Sequence, residues 1–202
     1  MSSRNIESRF DEQERTNLSN GRKIKMITIR RAQETDLGSI QKVIETAFSD
    51  EENKVIMNLA QELSKETTSP SIKSLIAEVH NQVIGYVSYS PIFLKSSSGI
   101  SGYILAPLAV SPEHQKQGIG SNLIKSGIDM LIKEGVGVLL AYGDPDYYGR
   151  FGFKEEIGRL FVPPYPLKYP FGWTGMKLNA TATPNTPIKF ECVAALSKPD
   201  LW

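Results

Sequence analysis

Residues 110–121 read VSPEHQKQGIGS and join an apolar run to a segment with helical periodicity. This connection contains a proline, a series of polar residues and two closely spaced glycines, Gly118 and Gly120. A link between a strand and a helix ordinarily needs only a few residues. A longer connection that ends in glycines indicates that the loop backbone has a binding role of its own.

These glycines predict an anion site at the start of a helix. The first N–H groups of a helix have no partner within it, and the helix dipole places partial positive charge at that end. Gly118 and Gly120 lack the Cβ atoms that would keep a phosphate away, and Lys116 would add a charge at the rim. An ordinary connection with turning glycines is the alternative interpretation.

Two common nucleotide-binding motifs fit this loop poorly. A P-loop ends in Gly-Lys-Ser/Thr, whereas Ser121 and Asn122 follow Gly120, so the phosphate-binding lysine is missing. The dinucleotide fingerprint GxGxxG needs a third glycine where this chain has Leu123. The loop therefore predicts a phosphate ligand without naming it.

The apolar pattern on both sides of the loop predicts an α/β fold. A strand at 102–110, a helix from Ile119 to a stop at Gly135 and a buried strand at 136–142 form a βαβ unit with parallel strands. Before this unit, the pattern predicts a strand at 26–32, helices at 37–48 (capped by Asp36) and 55–65, and a hairpin of 74–80 and 82–90 with a turn at 80–82. After it, the pattern predicts a short helix after Asp144 and Pro145, an extended segment after Gly152 and a closing strand at 188–196.

Composition limits the class of protein. The 202 residues suffice for one domain, and a net charge of +1 gives no general attraction to nucleic acid or to a membrane. The single cysteine, Cys192, excludes an intramolecular disulfide and a cysteine-based zinc cluster. No apolar run approaches the ~20 residues of a membrane span. Residues 1–25 are polar with both charge signs and predict a mobile tail, so we expect a cytoplasmic protein.

One segment resembles a known cofactor signature. LAPLAVSPEHQKQGIGSNLI, residues 105–124, is similar to the acetyl-CoA signature of the GCN5-related N-acetyltransferases, the GNAT family. In that family a strand is followed by Gln/Arg-x-x-G-x-G/A at the start of a helix, and Gln115, Gly118 and Gly120 match these positions. The family often has arginine where this chain has Gln115.

Two further segments resemble the same family. Residues 27–48 are similar to its first strand and helix, and YYGRFGF, residues 147–153, is similar to its Tyr-x-x-x-Gly-Phe segment. The three matches occur in the family's order and cover residues 26–155. The resemblance implies the GNAT fold, a mixed and bent β-sheet flanked by helices.

The resemblance also implies an acetyl-CoA site around the loop. In this family the pantetheine arm adds like an extra strand to the exposed backbone of the strand before the loop, and loop N–H groups hold the pyrophosphate. The residues implied here are Leu108, Ala109 and Val110 for the pantetheine, and Gln115, Lys116, Gln117, Gly118, Ile119, Gly120 and Ser121 for the pyrophosphate.

By the same resemblance, Tyr148 is the general acid that protonates the departing thiolate. An amine attacking a thioester builds negative charge first on the carbonyl oxygen and then on sulfur. A backbone N–H near Val110 would stabilise the charge on the oxygen, and a phenol would stabilise the charge on the sulfur. A phenol stays protonated at neutral pH because its ordinary pKa is ~10. Tyr147 is the competing tyrosine, and packing beside Phe151 and Phe153 is the structural alternative for Tyr148.

The general base is left open by the sequence. Glu45, Glu51 and Glu52 lie at or just after the first predicted helix, where related enzymes often line the acceptor cleft, but solvation at the surface also explains them. His80 lies in a predicted turn and His114 near the cofactor loop, and neither position favours a catalytic role.

The sequence therefore predicts a GNAT core at 26–160, with a proline- and aromatic-rich segment at 161–202 in the same domain. That segment either covers the acceptor end of the cleft or wraps the surface. The predicted activity is transfer of acetyl from acetyl-CoA to a primary amine, with no metal, nucleic acid or membrane partner and an open oligomeric state. A CoA-binding module without turnover is the alternative, and a nucleotide-dependent oxidoreductase using the Gly118–Gly120 turn is a more distant one.

Overall fold

The computed structural model describes residues 14–16, 26–94, 99–180 and 184–202, and a mixed β-sheet forms its centre. The strands are β1 (Glu14–Thr16), β2 (Ile27–Arg31), β3 (Lys73–Val79), β4 (Gln82–Leu94), β5 (Gly102–Val110), β6 (Val138–Tyr142), β7 (Phe161–Val162), β8 (Trp173–Lys177) and β9 (Ile188–Cys192). The helices are α1 (Leu37–Ala47), α2 (Asp50–Lys65), α3 (Ile119–Lys133), α4 (Pro145–Gly149) and α5 (Glu155–Gly158).

The sheet has the strand order β1-β2-β3-β4-β5-β6-β8. Neighbours are antiparallel except β5 and β6, which are parallel and connected through α3. The far end of β4 also pairs with β9, and β9 pairs in parallel with β7. The predicted mixed sheet flanked by helices is confirmed, and so is the βαβ unit around the loop.

Helices cover both faces of the sheet. On β4, Val87 and Tyr89 pack into the cluster that contains α3 and Tyr148, which we call the α3 face. Tyr86, the residue before Val87, packs against α1 and α2 on the opposite face, which we call the α1–α2 face. This alternation follows from the two-residue side-chain period of a strand.

Helix α3 begins and ends at the predicted glycines. Gly118 precedes it in the left-handed conformation, with φ 82°, and Gly135 follows it with φ 75°. Both conformations favour glycine because it has no Cβ. The apolar side chains that recur at helical spacing, Ile119, Leu123, Ile124, Ile128 and Leu131, are all buried.

Several predicted boundaries are wrong. Helix α2 begins at Asp50, five residues earlier than predicted, with Asp50, Glu51 and Glu52 in its first turn, where acidic residues suit the helix dipole. The closing strand ends at Cys192, and Ala194–Leu196 forms a 3₁₀ turn.

Two further predictions, about single turns of the chain, are also wrong. Asp36 does not cap α1 by a side-chain hydrogen bond; it ends a 3₁₀ turn, and its carboxylate accepts from Arg30 and from the Gln33 N–H. The predicted extended segment after Gly152 contains helix α5.

The predicted tail, residues 1–25, lies outside the described residues except for β1, which pairs with β2. Among the helices that the structure describes, none is long and apolar enough to cross a membrane.

Candidate active site

Strands β5 and β6 part from each other halfway along β5. They pair only from Gly102 to Leu105 on β5 and from Val138 to Ala141 on β6. β5 continues to Val110, still paired with β4 on its other side. In the described part of the chain, residues 106–110 therefore have a free backbone edge that faces a gap in the sheet.

Leu108 and Val110 present their backbone groups to this gap. The Ser111 N–H donates to the Ile84 carbonyl of β4 at 2.9 Å. Every second residue of an antiparallel strand bonds to the same neighbour, so the backbone of Ala109, two residues before Ser111, also faces β4. The backbone N–H and carbonyl groups of Leu108 and Val110 therefore point away from β4, toward the gap. The Gln115 side-chain amide confirms this, because its Nε2 donates to the Val110 carbonyl at 3.0 Å.

The loop after β5 forms a row of free backbone donors. Pro112–His114 is a 3₁₀ turn, and the Gln115 N–H donates to the Pro112 carbonyl at 3.3 Å. The N–H groups of residues 116–121 donate to no protein oxygen within the described ranges. Lys116 and Gly118 both have positive φ, 59° and 82°, which turns successive N–H groups to one side. The row adjoins the start of α3 and suits an anion.

Most of the predicted cofactor residues are thus brought together. Leu108 and Val110 lie on the free edge, and 116–121 supply the free donors. Two predicted residues do not offer a free backbone group. The Ala109 backbone bonds to β4, and the Gln115 N–H bonds to Pro112, while the Gln115 side chain donates to the Val110 carbonyl.

Tyr147 rests on the first turn of α3. A Cβ atom at Gly120 would lie 2.7 Å from the Tyr147 hydroxyl, so the glycine makes room for the phenol. Burial raises the pKa of Tyr147, and a hydrogen bond with Ser121 and the charge of Arg150 act against this. The Arg150 guanidinium stacks over the Tyr147 ring at 4.5 Å. Tyr147 and Arg150 therefore lie at the rim of the donor row.

Sequence reasoning missed Arg150 and treated Tyr147 only as a rival acid. A signal was present in YYGRFGF, because residues three apart on a helix lie side by side. The contact of Tyr147 with Gly120 joins segments distant in sequence, so it could not be read from that stretch alone.

Tyr148 is a buried phenol on the α3 face. Its ring packs against Tyr147 and Phe153, with centroids 5.3 and 5.5 Å away, and against Gly143. It belongs to the same core cluster as Leu105 and Ala141, the residues at which β5 and β6 part. Burial, followed by Tyr147 and Asp144, raises the pKa of Tyr148 above its ordinary value, so the phenol stays protonated.

The other titratable residues weighed from sequence lie elsewhere. Glu45, Glu51, Glu52 and His80 are exposed to solvent. His114 is half-buried in the loop, and its Nδ1 has no hydrogen-bond partner in the described structure. Burial raises the pKa of the Cys192 thiol to about 11, which makes it a poor nucleophile. Among the described residues, no group of three or more His, Cys, Asp or Glu side chains is placed to hold a metal ion.

Comparison with known proteins decides the family. Residues 38–153 match the sequence profile of the acetyltransferase (GNAT) family. The chain belongs to the GNAT family. It is 32% identical over 155 residues to the uncharacterized N-acetyltransferase YjhQ of Escherichia coli K12, covering 75% of this chain and 83% of that relative.

Solved GNAT structures share the fold over most of the chain. The GNAT protein YhbS of Escherichia coli, solved with CoA, has a TM-score of 0.72 and 25% identity, covering 89% of this chain and 97% of YhbS. A GNAT acetyltransferase of Brucella melitensis, solved with acetyl-CoA, has a TM-score of 0.60 and 27% identity, covering 85% and 99%. The family predicted from sequence is confirmed, and this GNAT protein is an acyltransferase.

Proposed function

We propose that this GNAT protein transfers an acetyl group from acetyl-CoA to a primary amine by direct attack on the thioester. One observation carries the proposal: the free N–H groups of residues 116–121 adjoin a free strand edge at Leu108 and Val110. An anionic pyrophosphate suits the first and an amide-containing arm suits the second. YhbS and the Brucella protein, which share the fold, bind CoA and acetyl-CoA.

Charge at the rim supports the same ligand. Lys116 and Arg150 are exposed: Lys116 lies just before α3, and Arg150 stacks over Tyr147, whose hydroxyl lies against Gly120 in the first turn of α3. The Val110 carbonyl already accepts a hydrogen bond from the Gln115 side chain. The pantetheine arm of CoA would therefore bond to the Val110 N–H and to the backbone of Leu108. Nothing lies within 4 Å of the Cβ position of Gly118, so a phosphate oxygen could approach the N-terminal turn there.

The chemistry needs one donor for each developing charge. As the amine nitrogen bonds to the thioester carbon, a β5 backbone N–H in the gap would stabilise the carbonyl oxygen. When the C–S bond breaks, Tyr148 would give its proton to sulfur, and the proton lost by the amine would restore the phenol through water. No covalent intermediate with the protein is needed.

A CoA-binding protein without turnover is the second candidate. The burial of Tyr148 favours it, because a packed phenol with a raised pKa gives up its proton reluctantly. In the transferase, this proton would move to the sulfur as the C–S bond breaks and negative charge develops there.

Release of the CoA thiol, followed with a panel of amines, separates the two. We expect turnover with at least one of a small amine, an amino acid, a polyamine, a peptide N-terminus and a peptide lysine. Tyr148→Phe should lower kcat by about 100-fold or more, the usual effect of a general acid, with little change in CoA affinity.

Tyr165→Phe is the matched control, since this phenol donates to Ser197 in the C-terminal segment, away from α3. Tight CoA binding with no turnover on any amine would favour the second candidate. Unchanged turnover of Tyr148→Phe would remove Tyr148 from the mechanism.

A further inference from the structure

A small cavity lies where β5 and β6 part, on the face opposite Tyr148. Its volume is about 30 Å³. Leu105 and Ala106 of β5 and Tyr142 of β6 form its wall toward the gap. Leu201 and Trp202 of the C-terminal segment line its other side. The cavity therefore adjoins the sheet gap at the end far from the phosphate-binding loop.

The polar side chains around this cavity are already hydrogen-bonded within the protein. The Trp173 Nε1 donates to the carbonyls of Gly158 and Phe161 at 2.8 and 2.9 Å. The Trp202 Nε1 donates to the Leu196 carbonyl at 2.9 Å, and the Tyr142 hydroxyl accepts from the Tyr169 N–H at 2.7 Å. A cavity with such an apolar lining favours apolar groups. It does not suit a charged amine, which would lose its hydration.

The wall formed by the C-terminal segment is fixed to α2. The Lys198 ammonium contacts both carboxylate oxygens of Glu62, at 2.7 and 2.6 Å. The Glu66 carboxylate accepts from the N–H groups of Ala194 and Ala195, at 2.6 and 2.9 Å. The segment that closes the cavity is thus held at two points, and the cavity is a defined feature of the fold.

The position of the cavity fits the acyl end of a thioester, given the proposed function. With the pyrophosphate at residues 116–121, an arm that follows β5 runs back from Val110 to Leu108, and its thioester then points toward Ala106. The acyl chain continues in that direction into the cavity. A water-sized group needs ~10–15 Å³ on the same measure, so a volume of about 30 Å³ leaves room for about two more carbons and not for a long chain.

We propose that this cavity receives the end of the acyl chain and makes propionyl-CoA a donor at least as good as acetyl-CoA. The reaction is the same transfer: the acyl C–S bond breaks, the acyl C–N bond forms, and the proton lost by the amine ends on the CoA sulfur. The inference rests on the proposed CoA site, and it concerns only the length of the acyl group.

Calorimetric titration of the wild-type chain with acetyl-, propionyl- and hexanoyl-CoA tests this without an amine. We expect propionyl-CoA to bind about fourfold more tightly than acetyl-CoA, which corresponds to ~0.8 kcal/mol for one buried methylene. Hexanoyl-CoA should bind at least about tenfold more weakly than propionyl-CoA, because the cavity cannot hold its chain. Equal affinities for the three esters would overturn the inference. Failure of all three to bind would contradict the proposed function itself.

A variant with a larger cavity gives an independent test. Leu201→Ala removes side-chain atoms from the wall, so the ratio of hexanoyl-CoA to propionyl-CoA affinity should rise by roughly tenfold. Leu167→Ala is the control, because Leu167 is a partly buried leucine of the same apolar cluster that does not line the cavity. This ratio should stay unchanged in the control. An unchanged ratio in Leu201→Ala would overturn the inference, as would a change confined to the choice of amine.

Discussion

At the scale of single residues, Gly120 shows how a missing atom shapes the site. Its absent Cβ leaves room for the Tyr147 hydroxyl on the first turn of α3, and a Cβ there would also approach Val110 at 3.6 Å. The sequence predicted that Gly120 keeps the helix start open. The structure adds that the space is shared with a phenol from another helix.

Gly120→Ala should weaken CoA binding by roughly tenfold, because the new methyl pushes Tyr147 into the space beside the free N–H groups. Fluorescence competition with CoA measures the change. Gly38→Ala is the control, since Gly38 is an exposed helical glycine with nothing within 4 Å of its Cβ position. Equal CoA affinity for wild type and Gly120→Ala would show that this turn is not part of the CoA site.

Asp36 is the residue for which the structure predicts a pH-dependent contribution to stability. The Arg30 guanidinium holds the pKa of the Asp36 carboxyl below its ordinary value, with 2.7 and 2.9 Å hydrogen bonds. A lowered pKa means that the stabilisation is fully present above the pKa of the unfolded chain, ~3.9, and is lost as pH falls through the folded value.

Asp36→Asn should therefore lower the free energy of unfolding at pH 7 by about 2 kcal/mol, a common value for a hydrogen bond to a charged group. Urea unfolding at pH 7 and near pH 3 measures it, and the difference from wild type should shrink at the lower pH. Glu155→Gln, in the exposed pair with Arg159, should cost less than about 0.5 kcal/mol. A loss for Asp36→Asn that is the same at both pH values would contradict this account.

At the scale of elements, local signals predicted α3 and β5 well. Gly118 and Gly135 mark the ends of α3, and GYILAPLAV coincides with β5, because these signals lie within the segment itself. The early start of α2 was missed because its first turn, with Asp50 to Glu52, has no apolar spacing. The free edge of β5 was implied only by the family resemblance, because the parting of β5 from β6 depends on how far a second strand stays paired.

The attachment of the C-terminal segment to α2 gives a prediction at this scale. Glu66→Ala leaves the N–H groups of Ala194 and Ala195 without their acceptor and should destabilise the chain by about 2 kcal/mol. Proteolysis should also cut the segment faster. Lys54→Ala, an exposed change in α2, should alter the free energy of unfolding by less than about 0.5 kcal/mol. Equal urea midpoints for wild type and Glu66→Ala would show that this attachment contributes nothing.

At the scale of the whole molecule, the sheet gap joins two different faces. Tyr148 and α3 lie on one face, and α1, α2 and the C-terminal segment lie on the other. In the proposed reaction the thioester would occupy the gap, so an acid and an acceptor could approach it from opposite sides.

Three separated motifs predicted this fold because each is a local pattern that the GNAT family keeps in a fixed order. The C-terminal segment was left between a lid and a surface wrap, since prolines and aromatics occur in both. In the structure the Trp173 and Phe190 rings stack with centroids 6.1 Å apart, and Leu201 and Trp202 of the same segment line the cavity beside the sheet gap. Its contacts with α2 and with the cavity join residues too far apart in the chain for a local pattern to reveal.

Amide hydrogen exchange with and without CoA, followed by NMR, tests the central claim most directly. With saturating CoA, the free N–H groups of residues 116–121 and that of Val110 should exchange at least about tenfold more slowly, because the ligand accepts from them. The exchange rate of the Gly99 N–H, which precedes β5 at the end far from the loop, should be unchanged. Binding of CoA with no slowing at residues 116–121, or with slowing only elsewhere, would contradict the account.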